Sequence, residues 1–318
     1  MKNLPLILLG SLLIAVGCKN PADPSDGIPP SNDTLVPPIV LTNTIIAVRN
    51  TWTASNGFTS DIEQHSLADS ATKPIISFNA STISSLSLSL DSTTLVYDRA
   101  RFDSLGVTIG TVNIRSSPAV ESVISDSRTS PLRLFATWTH GNALVSLDLD
   151  GVVWKIIRNG VVIPLDTAAA GNMFACSKDG AFLIYAHWHD TVRQELYRYD
   201  LSSKKTTLLV PADMTTASCT YPEVDISPDG TELVFVKRWS TADSVGTVSA
   251  EMREVRTVRT DGTAGAGLRR SEVNNVRWTP DGRYIAYLAS GVMYAMKKDG
   301  SNISKVSNRS IFQYTFVR

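Results

Sequence analysis

The residues best suited by type and spacing to do chemistry form one short run, His187-Trp188-His189-Asp190. Residues two apart on an extended strand share a side, so His187 and His189 would face one way and could share a metal ion. A zinc site needs three or four protein ligands, and nothing in the spacing supplies the others. The run is therefore read as a loop on a binding face, with no metal and no cofactor. Arg238 and Trp239 fall at the equivalent point one repeat later. Arg and Trp are enriched where binding energy concentrates, which makes these six residues the binding-face candidates. The competing reading is that Trp188 and Trp239 only pack between neighbouring sheets.

Familiar catalytic patterns are missing. The chain has no His-Glu-x-x-His, no phosphate-cradling Gly-x-x-x-x-Gly-Lys and no Gly-x-Ser-x-Gly nucleophile turn. The glycines Gly262, Gly265 and Gly267 belong to an outer turn rather than to a loop opening a helix. Thirty basic residues balance 30 acidic ones, and no basic stripe with interleaved aromatics is present, so nucleic acid is not expected as a partner. Cys176 ends one inner strand and Cys219 starts the next at its opposite end. That offset, on the order of 15 Å, exceeds the roughly 7 Å Cα limit of a disulfide, so two separate thiols are expected.

The elements that must position these residues repeat. Ser177-Lys178-Asp179-Gly180, Ser227-Pro228-Asp229-Gly230 and Thr279-Pro280-Asp281-Gly282 are each followed by an apolar run, beginning at Phe182, Glu232 and Tyr284. Weaker copies are Ser89-Leu90-Asp91-Ser92 and Trp138-Thr139-His140-Gly141. Gly supplies a backbone with φ > 0, Asp bonds back to the chain and Pro presets φ, so these turns are structural. Further along each copy a strand carrying Tyr or Trp recurs, at Trp154, Tyr197 and Tyr294, and a short outer strand closes the unit. Four strands every 40 to 50 residues or so is the propeller pattern.

Counting units gives five complete blades, over 83–124, 133–166, 172–210, 221–270 and 272–307. The pieces left are a C-terminal strand, 312–317, and three N-terminal strands around 44–48, 62–67 and 74–78. Joined, they make a sixth blade shared by both ends of the chain, which removes two sheet edges. The expected fold is all-β, a six-bladed β-propeller over 44–318. Two long links, 98–107 and 237–253, emerge with His187 to Asp190 on the side opposite the Asp-Gly turns, and long loops on a rigid scaffold are where binding concentrates.

The N-terminus has a separate signature. Lys2 precedes an apolar stretch too short to span a bilayer comfortably, ending in Ala15-Val16-Gly17-Cys18. This resembles a bacterial lipobox, which implies a signal peptide over 1–18, cleavage before Cys18 and lipidation of that cysteine. Residues 19–43 are rich in Pro, Ser, Asp and Asn and read as a disordered tether. In a Gram-negative host, Lys19 rather than Asp after the cysteine implies delivery to the outer membrane, on its periplasmic or surface side.

The Asp-Gly turn, apolar strand and Tyr-bearing strand together resemble the WD-like repeats of TolB-type six-bladed propellers. The resemblance implies a lipid-anchored cell-envelope module that binds or scaffolds an envelope protein or glycan without catalysis. The alternative is a propeller-type enzyme, a glycan lyase or hydrolase, with its site at the channel mouth. Paired carboxylates converging there would favour the enzyme.

Overall fold

The computed structural model describes residues 37–53, 57–102, 106–129, 132–139, 143–150, 153–165, 174–242, 248 and 251–317. These form six four-stranded antiparallel sheets, the six-bladed propeller that the repeats predict. Blade one holds β4 (Ser81–Leu88), β5 (Thr94–Arg101), β6 (Val107–Asn113) and β7 (Glu121–Asp126). Blade two holds β8 (Arg133–Thr139), β9 (Ala143–Asp150), β10 (Val153–Arg158) and the two-residue β11 (Val161–Val162). Blade three consists of β12 (Phe174–Cys176), β13 (Phe182–Trp188), β14 (Gln194–Asp200) and β15 (Thr206–Val210). Blade four consists of β16 (Ser218–Ile226), β17 (Glu232–Ser240), β18 (Met252–Arg259) and β19 (Gly265–Arg270). Blade five consists of β20 (Val273–Trp278), β21 (Tyr284–Ala289), β22 (Val292–Lys297) and β23 (Ser304–Lys305).

The composite blade joins β1 (Thr44–Thr53), β2 (Gly57–Ser66) and β3 (Thr72–Asn79) to an inner strand from the far end of the chain, β24 (Gln313–Phe316). β24 pairs with β1 from Ile45 opposite Phe316 to Val48 opposite Gln313. The closure is apolar, for Tyr314 is fully buried and Ile311 and Phe316 nearly so, against Ile45, Leu288 and Met293.

The Asp-Gly turns behave as their chemistry dictates. Gly180, Gly230 and Gly282 take φ of 70°, 75° and 69°, a region costly for other residues. In the weaker first copy Ser92 takes that place at φ 54°. Asp229 Oδ1 accepts from the Ser227 hydroxyl at 2.6 Å and from the Thr231 amide at 3.1 Å. Asp91 repeats this with Ser89 and Thr93. The hydroxyl bonds lead in holding both carboxyls below their ordinary range.

Two boundaries move. The links read as 98–107 and 237–253 are shorter than expected: β5 runs to Arg101, β17 to Ser240, and β18 begins at Met252, each further than its apolar core. The tether also ends sooner. Ile39 and Leu41 are buried among Met293 and Ile311, the Ile39 amide donates to Ser304 Oγ at 2.8 Å, and Asn302 Nδ2 donates to the Pro37 carbonyl at 3.2 Å. Residues 37–43 thus strap the composite blade to blade five. The remainder of the tether, the signal peptide and Cys18 lie outside the described residues.

Candidate functional site

In a four-stranded blade the first and third turns lie at one end and the second turn and the link to the next blade at the other. The Asp-Gly turns therefore mark one end of the ring, the turn end. The loop end carries the last residues of β1, β5 and β17 and the first of β2, β6 and β18, with 189–193 and links such as 211–217. Residue 37, bonded to Asn302 in the β22–β23 loop, enters at the turn end.

The structure brings the blade-three candidates together at the loop end. Glu195 on β14 lies opposite His187 on β13. His189 Nδ1 is 3.2 Å from Glu195 Oε1, and the Tyr197 hydroxyl donates to Glu195 Oε2 at 2.8 Å. The His187 ring meets Tyr197 edge-on at 5.9 Å. His187 and His189 thus share a side, as the two-residue period requires. Among the described residues, however, no group of three His, Cys, Asp or Glu is placed to hold a metal. Asp190 closes its own turn: its carboxylate accepts from the amides of Val192 and Arg193 and pairs with the Arg193 guanidinium at 2.7 Å.

The blade-four candidates divide. Arg238 donates to Thr220 Oγ1 and pairs with Glu251 at 3.3 Å. Trp239 is only 8% exposed and belongs to the core shared with blade three, beside Tyr221, Leu196 and Met252. Its ring faces Lys237 and Arg270 at 5.2 and 5.7 Å. The packing reading holds for Trp239, which is not a surface anchor. Trp188 is 39% exposed, and for it the surface reading holds.

Sequence reading missed the apolar character of the loop end. Trp52 (72% exposed), Phe102, Trp188, Val192, Met214 and Val248 are all exposed there, on the tips of the composite blade, blades one, three and four, and the link after β15. Phe58 meets Phe102 edge-on at 5.3 Å, joining two of these tips. Single exposed hydrophobics are ordinary, but a series on one end marks an interaction surface. Trp52 and Phe102 sit just before loops, a signal visible once the loops are placed.

The second feature is the central channel, a cavity of about 260 Å³ lined by all six inner strands. Two positions before the Ser or Thr of each turn stand Ser87, Thr137, Ala175, Asp225 and Arg277, so a polar wall was legible from the alignment though not read from it. Glu223 and Asp225 are the paired carboxylates that would favour an enzyme. They clasp the next inner strand: Glu223 Oε2 accepts from the Val276 amide at 3.0 Å, and Asp225 Oδ2 from the Trp278 amide at 2.8 Å. Burial raises the Glu223 carboxyl above its ordinary range. Analogous clasps recur around the ring. Ser87 Oγ accepts from the Trp138 amide, Gln194 Oε1 from the Tyr221 amide, and the buried Asp98 from the amides of Phe135 and Ala136. Inner strands bulge near these contacts, with Phe135 and Asn275 at φ of 55° and 52°, which leaves amides without ladder partners. The clasps supply them.

Neither Cys176 nor Cys219 is in a disulfide; they lie at opposite ends of β12 and β16.

Among solved structures the chain is similar to TolB from Acinetobacter baumannii, with a TM-score of 0.61 and 15% identity over 83% of this chain and 63% of that one. The fold is that of the TolB propellers. A protein assigned as TolB from Agrobacterium tumefaciens gives 0.55 and 12% identity over 83% and 88%, and a nidogen/laminin complex 0.55 and 11% over 86% and 98%. This chain spans less than two thirds of the Acinetobacter TolB chain. No protein-family model and no curated protein matches its sequence. At these identities the TolB likeness concerns architecture, and function rests on the residues.

Proposed function

We propose that this protein is an exported, lipid-anchored envelope propeller that binds a protein partner through its loop end and does not catalyse a reaction. One observation carries the reading. Among the described residues of the loop end, Asp190 pairs with Arg193 and Arg238 with Glu251, and His189 lies against Glu195, whereas Trp52, Phe102, Trp188 and Met214 stay exposed. Neutralised charge around exposed aromatics suits a protein interface, where aromatic anchors dominate and charge is depleted at the centre. Export and anchoring rest on the lipobox-like Ala15-Val16-Gly17-Cys18, and outer-membrane delivery on Lys19. The TolB likeness is compatible with an envelope setting.

Glu223 and Asp225 give the enzyme reading its support. Glu223 Oε2 and Asp225 Oδ2 are engaged with backbone amides of the next strand, and a carboxylate so used is poorly placed to exchange protons with a substrate. The binding reading is therefore preferred. Chemical cross-linking in intact envelopes, followed by recovery of the tagged protein, tests it. A protein adduct formed by the natural chain and lost in Trp52→Ala/Trp188→Ala is expected. An adduct indifferent to that double change would overturn the role of the loop end.

A further inference from the structure

The channel wall holds one charged group that the clasps do not use. Among the described residues Arg277 forms no ion pair, and its hydrogen bond is a long one, 3.4 Å from Nη1 to the Val224 carbonyl. A guanidinium offers five N–H donors in a fork matched to a carboxylate, so most of its capacity is unspent. Arg277 lies on β20 beside Asn275, and β16 alongside brings Glu223 and Asp225 to the same cavity wall. From β24 and β4 come Gln313, Thr315 and Ser84, with Gln313 Nε2 donating to the Ser84 carbonyl.

We propose that the channel, near its turn end, binds a small zwitterion of the α-amino acid class, its carboxylate on Arg277 and its ammonium group against Glu223 and Asp225. Charge selects the class. A simple anion would meet two carboxylates beside Arg277, and a simple cation would meet the guanidinium; a solute carrying both charges answers each. Glu223 keeps acceptor capacity, since a carboxylate has about four lone-pair sites and its clasp on the Val276 amide engages only some of them. Size points the same way, for about 260 Å³ lies below the roughly 300–1,000 Å³ of drug-sized pockets yet far above the about 30 Å³ share of one water. The site is lined by the inner strands and uses none of the exposed loop-end side chains.

Calorimetric titration of the full processed protein with glycine, L-alanine and L-serine, and separately with acetate and methylammonium, tests the proposal. A zwitterion is expected to bind saturably, with acetate and methylammonium weaker by roughly tenfold or more. Arg277→Gln should lose that binding while melting, ligand-free, at the temperature of the natural protein, and Arg277→Lys should recover part of it. Acetate binding as tightly as the amino acids, no binding by any of the three, or undiminished binding in a folded Arg277→Gln protein would each overturn it.

Discussion

Asp98 gives the sharpest stability test, because it is a fully buried acid held by backbone rather than by a cation. Desolvation raises its carboxyl to about 6 from an ordinary 3.8, against the opposing pull of the Phe135 and Ala136 amides. At 1.36 kcal/mol per pH unit, that displacement corresponds to about 3 kcal/mol. The sign follows from proton uptake. Above pH 6 the carboxyl is ionised in both states and the whole penalty is present. As pH falls from about 6 towards 3.8, the folded protein takes up a proton that the unfolded chain does not yet bind, so this group adds stability through that window. Asp98→Asn is neutral throughout and retains a carbonyl acceptor for Phe135. Urea unfolding of both proteins at pH 7, 5.5 and 4 should show the natural protein gaining on the variant by about 2.5 kcal/mol by pH 4, the remainder falling below it. Parallel pH dependence in the two would refute a buried, titrating Asp98.

Other outcomes are expected. Cys18→Ala should leave an uncut precursor that takes up no labelled fatty acid; normal processing and label would count against the lipobox. Deleting 311–318 removes Ile311, Tyr314 and Phe316 from the core, worth about 1.5–3 kcal/mol each, a sum comparable to the whole stability of a domain. The chain should then fail to fold, whereas deleting 19–36 should leave the melting temperature unchanged; equal melting of the two truncations would contradict a shared blade. Trp239→Ala should cost about 3–5 kcal/mol as a core truncation, while Trp188→Ala should change unfolding by less than about 0.5 kcal/mol. Equal losses would mean that Trp188 too is packed.

The blades were readable because their markers are local. An Asp-Gly turn needs φ > 0 and a back-bonding carboxylate, and those needs survive in the residues at 179–180, 229–230 and 281–282 and, more faintly, at 91–92. The shared blade was readable because the leftover strands at 44–48 and 312–317 had no other partner. Strand ends were less so: β17 continues through the polar Lys237 and Arg238 to Ser240 because its pairing with Met252–Arg259 continues, which no run of apolar residues reveals. The two tryptophans needed a count rather than a glance. Measured from Gly180 and Gly230, Trp188 matches Arg238 and Trp239 matches His189, so the two rings leave their strands on opposite faces: Trp239 turns into the core beside Tyr221 and Leu196 while Trp188 remains at the surface. The channel acids were overlooked for a related reason. Glu223 and Asp225 look like ordinary exposed positions of an alternating strand until the neighbouring strand brings the amides of Val276 and Trp278 against them.

The most direct test of a binding loop end is site-specific photo-cross-linking in living cells. A photoreactive residue would replace Phe102, Trp188 or Met214 at the loop end, and Lys178, Asp229 or Arg283 at the turn end. A discrete protein adduct from the loop-end positions, with none from the turn-end positions, is predicted. Adducts confined to the turn end, or none from any position while the protein is folded and anchored, would contradict the account.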